Sequence, residues 1–224
     1  KNFQKSHILI IGSGIIGKFN ALELSEQGFQ ITIADPQKNK NSSSAALGLL
    51  MGHMYQKNKG RSWKLRKKSN ELWPKWIKLL QRYNKNLNIE KPLIQLTTDQ
   101  SKFEKITKFI SDNPKRDLQV LQKDSPIIHS IKNVLNINNL KGFISYQDGR
   151  INPISLLKTI NIHLKSKKVN FINEEIIKIK KFNNQWISTS RNNLEITSDV
   201  IVLCNSLDAI KLIDFKFHNI KLKP

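Results

Sequence analysis

The first 36 residues alternate between short apolar runs and one amphipathic segment. Residues 7–11 (HILII) form a β-branched apolar run, which is typical of a strand buried on both faces. Apolar residues then recur at roughly helical spacing from Ile16 to Leu24, and Gly28 follows as a C-terminal cap. A second apolar run at 31–34 (ITIA) predicts another strand. The pattern therefore predicts a strand–helix–strand unit built on a parallel sheet.

Hydrophobic periodicity also divides the remainder of the chain into elements. Residues 60–84 carry an apolar stripe at helical spacing, and Pro74 within it predicts a kink or a restart of the helix. A helix is predicted to begin at Asn152–Pro153, with proline near its first turn. Residues 117–145 mix strand and turn signals. The other predicted elements are a strand at 93–99, an amphipathic helix at 101–113, and strands at 169–180, 185–190 and 199–205.

A glycine motif joins the first strand to the first helix. Gly12, Gly14 and Gly17 give the spacing G-x-G-x-x-G. In this context the first glycine permits a tight turn, the second allows a pyrophosphate to approach the backbone, and the third allows close packing of helix and strand. The phosphates then lie at the helix N-terminus, where the helix dipole favours anions. The motif therefore predicts a dinucleotide site.

One acidic residue, Asp35, completes this motif. It lies 23 residues after Gly12, at the end of the second predicted strand. A carboxylate there accepts hydrogen bonds from the hydroxyls of an adenosine ribose and repels a 2′-phosphate, so NADP is disfavoured. The motif and the acid together leave FAD and NAD as alternatives.

The segment after Asp35 favours FAD. Residues 42–55 (SSSAALGLLMGHMY) crowd small residues against Gly48, as expected where backbone presses on a flat ligand. Here the sequence resembles the FAD-dependent D-amino-acid oxidase superfamily, and within it the glycine oxidase branch. The pieces that match, in family order, are IIGSGIIG, ITIADP, SSSAALGLLMGH, GRINPISLLKTI and KVNFINEEIIKI.

The resemblance implies an α/β fold with a Rossmann-like FAD-binding domain, interrupted by part of an α+β substrate domain. The implied segments are 1–83 and 147–224 for the FAD-binding domain and 84–146 for the partial substrate domain. Family members usually continue past Pro224 with the part that carries the substrate-binding arginine. The resemblance therefore implies that this chain corresponds to the N-terminal part of the family fold, either as a fragment or as a product without its catalytic half.

The resemblance also implies cofactor contacts residue by residue. It assigns Leu49 to the substrate as well as to the flavin, and it assigns no catalytic side chain, because the cofactor carries the chemistry. The implied contacts are Gly12, Ser13, Gly14, Ile15, Ile16 and Gly17 at the pyrophosphate turn, Asp35 and Pro36 at the adenosine, Ser42 and Ser43 at the pyrophosphate or ribityl chain, Leu47, Gly48 and Leu49 under the isoalloxazine, and Ile176 at the adenine.

The implied reaction is oxidation of the C–N bond of a small amine or amino acid by hydride transfer to flavin, with oxygen or another electron acceptor. One departure concerns the strand that ends at Cys204 and Asn205, where the family usually has Ala-Gly. Close approach of the backbone to the flavin is therefore less expected at that point.

Composition adds alternatives rather than a second motif. The net charge of +21 favours an anionic partner, but the lysines are scattered and accompany many Ile and Asn, which favours compositional bias over nucleic-acid binding. The aromatic and basic residues of 63–73 are the best nucleic-acid candidate. The single Cys204 excludes an internal disulfide, and no signal peptide is evident, so we expect a cytoplasmic protein. No histidine pair has metal-ligand spacing, so we expect no metal site. The alternatives are a basic binding module without turnover and an NAD-linked dehydrogenase.

Overall fold

The computed structural model describes residues 6–36, 42–56 and 59–213. Short 3₁₀ turns at Pro114–Arg116 and Ser206–Leu212 supplement the regular elements. In chain order these elements are β1 (His7–Ile11), α1 (Ile15–Glu26), β2 (Gln30–Ala34), α2 (Ser42–Ala45), β3 (Leu49–Leu50), α3 (Gly60–Leu80), β4 (Leu93–Thr97), α4 (Gln100–Asp112), β5 (Leu118–Leu121), α5 (Pro126–Leu135), β6 (Lys141–Ser145), β7 (Gly149–Arg150), α6 (Pro153–Ser166), β8 (Asn170–Ile172), β9 (Ile176–Phe182), β10 (Gln185–Ser190), β11 (Glu195–Ser198) and β12 (Val200–Leu203).

The elements form two compact units, of which the second is inserted in the sequence of the first. The first unit comprises Lys1–Ala46 and Pro153–Pro224, and the second comprises Leu47–Asn152. These limits follow from compactness, whereas the predicted limits at 83/84 and 146/147 follow the expected roles of the segments. The assignment of those roles stays a prediction.

A parallel sheet forms the centre of the first unit. Its strand order is β12-β1-β2-β8, and Leu9 of β1 lies between Thr32 of β2 and Ile201 of β12. The apolar run of β1 is buried from Ile8 to Ile11, because both faces of a parallel sheet are covered. Helices α1 and α6 pack against each other in this unit. The sheet and its helices confirm the predicted α/β fold class.

A three-stranded antiparallel sheet, β11-β10-β9, completes the first unit. It contributes Ile176 and Ile196 to a buried cluster that also contains Leu9 and Ile11 of the parallel sheet. The start of β9 is thereby fixed close to the carboxyl ends of the parallel strands, where ligands bind in folds of this kind.

The second unit contains an antiparallel sheet, β4-β6-β5, and a short hairpin pair, β3-β7. Its core includes Phe103, Ile128 and Phe143, all of which are buried. Helix α3 runs as one continuous helix with Pro74 inside it, so of the two expected consequences of Pro74, a kink or a restart, the restart does not occur. No helix in the described ranges is both long and apolar enough to cross a bilayer.

Candidate functional site

A cleft of about 760 Å³ opens in the first unit at the carboxyl ends of the parallel strands. The glycine-rich turn between β1 and α1 forms one wall, and the ends of β2 and β12 form the floor. Among the predicted cofactor residues, the structure brings together at this cleft Gly12, Gly14, Ile15, Ile16, Asp35, Pro36, Ser42, Ser43 and Ile176.

The three glycines of the turn have different structural requirements. Gly12 has a φ of +106°, and a Cβ built there would lie 2.6 Å from the carbonyl carbon of Cys204. A Cβ at Gly17 would lie 2.0 Å from the carbonyl oxygen of Gly12. Gly14 has an ordinary φ of −71°, and its Cβ would only come within 3.1 Å of Ser43 Oγ. Gly12 and Gly17 are therefore required by the fold, whereas the requirement for Gly14 concerns the space in the cleft.

Helix α1 begins at this turn without a cap of its own. Gly14 occupies the N-cap position and has no side chain to accept a hydrogen bond. The hydroxyl of Ser43, delivered by α2, accepts the N–H of Ile15 at 2.9 Å instead. The helix N-terminus thus faces the cleft with a hydroxyl beside it, and both features suit an anion.

Asp35 follows β2 and lies against the glycine-rich turn. Its Oδ2 accepts the backbone N–H of Ser13 at 2.6 Å, and its own N–H donates to the carbonyl of Ile172 at 3.0 Å. A carboxylate has about four acceptor positions, and Asp35 also lines the cleft. Asp35 therefore both braces the turn and presents an acceptor at the cleft wall.

A buried lysine beneath the turn was not identified from the sequence. Lys18 donates from Nζ to Ser13 Oγ at 2.7 Å and to Asn161 Oδ1 at 2.5 Å. Burial lowers the pKa of Lys18 to about 8, against the opposing effect of the Asp35 charge. Lys18 lies four residues before the buried Leu22, so both share one face of α1. This spacing is the sequence signal that could have indicated its burial.

The far end of the cleft carries charged residues. Arg191 pairs with Glu175 at 3.1 and 3.3 Å, and Lys211 pairs with Asp208 at 2.6 Å. Ile176, predicted to lie at the adenine, starts β9 beside them and is buried. These four charged side chains were also missed, because their pairing joins segments that are distant or irregular in the sequence.

The floor of the cleft includes the pair Cys204 and Asn205, which departs from the family pattern. The backbone of this pair lies against Gly12, so the close approach here is between two protein segments. Burial raises the pKa of the Cys204 thiol. Asn205 Oδ1 is buried and has no hydrogen-bond partner among the described residues. An unpaired buried acceptor on a cleft wall is a position that a hydroxyl or amino group of a ligand would satisfy.

Some predicted residues do not lie at the cleft wall. Ser13 and Gly17 belong to the turn but do not line the cleft. Leu47, Gly48 and Leu49 belong to the second unit. There the side chains of Leu47 and Leu49 are 71% and 43% exposed, which is unusual for leucine. Their position under an isoalloxazine ring stays a prediction.

The second unit contains a tightly held turn after β3. Asp148 accepts the backbone N–H groups of residues 52–54 at 2.6 to 2.9 Å. Arg116 donates to three carbonyls of residues 52–55 and lies 4.5 Å from the ring centroid of Trp63. His53 has Nδ1 2.7 Å from the carbonyl oxygen of Arg116.

The described residues contain no group of three or more His, Cys, Asp or Glu side chains placed to hold a metal ion. Beside the glycine-rich turn the donors and acceptors of the cleft are backbone N–H groups, hydroxyls, an amide and the carboxylate of Asp35, while the other charged side chains lie at its far end. This set suits the phosphates and hydroxyls of a nucleotide.

Comparison with known proteins places this geometry in a family. The family model described as FAD dependent oxidoreductase (DAO) matches residues 7–224. None of the curated proteins matches the chain.

Several solved structures share the fold. Glycine oxidase from Bacillus cereus ATCC 14579 is 20% identical with a TM-score of 0.73, over 89% of this chain and 55% of that protein. Glycine oxidase from Geobacillus kaustophilus is 17% identical with a TM-score of 0.77, over 92% and 57%. L-α-glycerophosphate oxidase from Mycoplasma pneumoniae, solved with FAD bound, is 19% identical with a TM-score of 0.64, over 88% and 52%. The chain thus spans little more than half the length of these proteins.

Proposed function

Because the chain belongs to the family of FAD-dependent oxidoreductases, whose cofactor is FAD, we propose that the cleft of the first unit holds the adenosine diphosphate half of FAD. The observation that supports this most directly is the combination of an open Gly14, the Ser43 hydroxyl at the start of α1, and Asp35, all on one cleft wall. These groups match a diphosphate followed by a ribose.

Each group at the cleft has a defined role in this proposal. The diphosphate lies at the start of α1, where Gly14 leaves room for it and Ser43 donates its hydroxyl proton. Asp35 accepts hydrogen bonds from the ribose hydroxyls. A donor group of the ligand binds to Asn205 Oδ1, which has no hydrogen-bond partner among the described residues.

The proposed reaction is oxidation of the C–N bond of a small amine or amino acid, with oxygen or another electron acceptor. When bound, FAD supplies the acceptor of the hydride. Glycine oxidases and an iminodiacetate oxidase among the similar structures support this substrate class. The residues described here bind and orient the cofactor, and none is assigned to proton transfer.

The alternative of a basic binding module gains no support from α3. The guanidinium of Arg116 lies over one face of the Trp63 ring, so that face is not available for stacking on a base. An NAD-linked function is disfavoured because the matching family is FAD-dependent.

Ligand titration tests the proposed cofactor site. We expect the apoprotein to bind FAD and ADP, and ADP to compete with FAD, whereas FMN, which lacks the adenosine half, does not compete. NAD is titrated under the same conditions as FAD to test the NAD-linked alternative. Absence of both FAD and ADP binding by the folded chain would refute the proposal.

The variant Gly14→Val tests the position of the diphosphate. Valine is compatible with the backbone at residue 14, and accommodating it requires only a small movement of Ser43. We expect an unchanged far-UV circular dichroism spectrum and FAD binding weakened at least about a hundredfold, because the branched side chain occupies the phosphate position. Retention of wild-type affinity would show that the diphosphate lies elsewhere.

A further inference from the structure

Lys18 is a buried cation that the proposed cofactor contacts do not use. Only 5% of the residue is exposed, and its Nζ is held by Ser13 Oγ and Asn161 Oδ1, with the ring centroid of Phe171 at 5.8 Å. Burial of an ammonium group is costly unless nearby groups compensate for it. The two neutral oxygens compensate only in part, because neither carries a formal charge.

The position of Lys18 in the motif connects it with phosphate. From Gly12 to Lys18 the sequence reads GSGIIGK, which has the G-x-x-x-x-G-K spacing of loops whose lysine contacts phosphates. Residue 19 is Phe rather than the Ser or Thr that binds magnesium in those loops. Lys18 also differs in that it lies beneath the turn, bonded to Ser13, and does not line the cleft. Its charge therefore acts on the cleft through the turn.

The negative charge of Asp35 gives a buried cation near the turn a function. Asp35 lines the cleft and accepts a hydrogen bond from Ser13, so a carboxylate stands next to the proposed diphosphate position. A carboxylate and a phosphate that lie side by side in a partly buried site repel each other strongly. The basic residues that do line the cleft, Arg191 and Lys211, pair with acids of their own.

We propose that the ammonium of Lys18, held under the turn by Ser13 and Asn161, offsets the charge of Asp35 and strengthens binding of the cofactor's diphosphate. The inference rests on the proposed function, since it assumes that the diphosphate lies at this turn. Lys18 acts as a binding residue by charge and does not touch the reacting atoms.

The test compares ADP with adenosine, which lacks the phosphates. We expect Lys18→Met to weaken ADP and FAD binding about tenfold and to change adenosine binding less than about twofold, because only a charged ligand senses the ammonium. Lys158→Met, which removes an exposed lysine of α6, is the matched control and should leave all three affinities unchanged. Circular dichroism establishes that each variant is folded.

The outcomes separate the two hypotheses. If wild-type protein binds neither FAD nor ADP, the proposed function itself fails. If wild type binds both and Lys18→Met binds them equally well, only the role of Lys18 fails. Equal weakening of ADP and adenosine would also overturn it, because that result indicates a structural role.

A pH series on wild type needs no variant and covers the case of an unfolded Lys18→Met. The charged group that faces Lys18 is Asp35 from the end of β2; the turn, α6 and β8 present Ser13, Asn161 and Phe171, which do not titrate at these pH values. ADP affinity should fall as pH rises through about 8. Cys204 on the cleft wall titrates at higher pH, since burial raises its pKa. A loss already evident near pH 8 is thus assigned to Lys18, and a flat profile there overturns the proposal.

Discussion

Each compact unit contains a turn that is braced by one carboxylate and one basic side chain, but the two turns differ in how many bonds the protein supplies. In the first unit Asp35 accepts the backbone N–H of Ser13 in the glycine-rich turn, and Lys18 donates to side chains, those of Ser13 and Asn161, rather than to backbone carbonyls. In the second unit Asp148 accepts three backbone N–H groups, and Arg116 donates to three backbone carbonyls.

This difference distinguishes the structural turn of the second unit from the glycine-rich turn, which is the proposed ligand-binding turn. Asp148 is 1% exposed and both of its oxygens are engaged by the protein, so the turn at 52–55 is complete without a ligand. Asp35 stands at a cleft wall beside Asn205, whose buried Oδ1 has no partner among the described residues. A buried acceptor such as Asn205 Oδ1 is explained at a cleft wall if a ligand supplies its hydrogen-bond donor.

Among the changes that test this comparison, removal of the Asp148 carboxylate should lower stability the most. Asp148→Ala leaves three N–H groups without this acceptor, two of them buried and one part-buried, and each buried group costs about 1–3 kcal/mol. We expect the free energy of unfolding to fall by about 4 kcal/mol, measured by urea denaturation. Asp124→Ala, at an exposed aspartate of the same unit, is the control and should change it by less than about 0.5 kcal/mol. A loss below about 1 kcal/mol for Asp148→Ala would show that the turn does not depend on it.

The buried cation of the ligand-binding turn should cost stability rather than provide it. The pKa of Lys18 is about 8 in the folded protein and about 10.5 when unfolded. Between these values the unfolded state holds more protons, so stability rises with pH. The cost is fully present below about pH 8 and is relieved by about 3 kcal/mol at most as pH approaches 10.5.

Thermal unfolding of the apoprotein measures this cost. We expect Lys18→Met to be more stable than wild type near neutral pH, and the difference between the two proteins to shrink as pH rises above about 8. A variant that is less stable than wild type at every pH would show that Lys18 stabilises the turn, as Arg116 stabilises the turn of the second unit.

The sequence predicts the position of the glycine-rich turn well because its signals are local; its role in binding a ligand stays a prediction. Gly12, Gly14 and Asp35 lie within one strand–helix–strand unit, where strand period, glycine spacing and the final acid reinforce one another. The family resemblance added Ser43, which does lie at the start of α1. The fold class was predicted for the same reason, since β1 and β2 carry the pattern of buried parallel strands.

The parts that were missed depend on contacts between distant segments. Lys18 meets Asn161 across 143 positions, and Asp148 meets Gly52 across 96, and no local pattern indicates either pair. Helix α5 was missed because it spans only ten residues between turn signals, although Pro126 occupies its first turn. The continuity of α3 through Pro74 likewise depends on packing, since Trp76 and Leu80 bury the turn that follows.

The smallest expected effect on stability comes from removing a serine hydroxyl that accepts a backbone N–H; each turn has one such hydroxyl. In the second unit Ser145 Oγ accepts the N–H of Asp148 at 3.0 Å and is fully buried, whereas in the first unit Ser43 Oγ accepts the N–H of Ile15 at the edge of the cleft. Ser43→Ala removes the acceptor at the N-terminus of α1, where Gly14 provides none. We expect the apoprotein to lose about 1 kcal/mol of stability, as for other N-terminal caps.

Ser42→Ala is the matched control for this variant, because Ser42 is its exposed neighbour in the same short helix and belongs to the same predicted set of cofactor contacts. The apoprotein stability of Ser42→Ala should remain within about 0.5 kcal/mol of wild type. With FAD present, Ser43→Ala should lose more stability than it does without the cofactor, since the hydroxyl then also donates to the diphosphate. Equal losses with and without FAD would mean that Ser43 only caps the helix, and the ligand-binding turn would in this respect resemble the structural one.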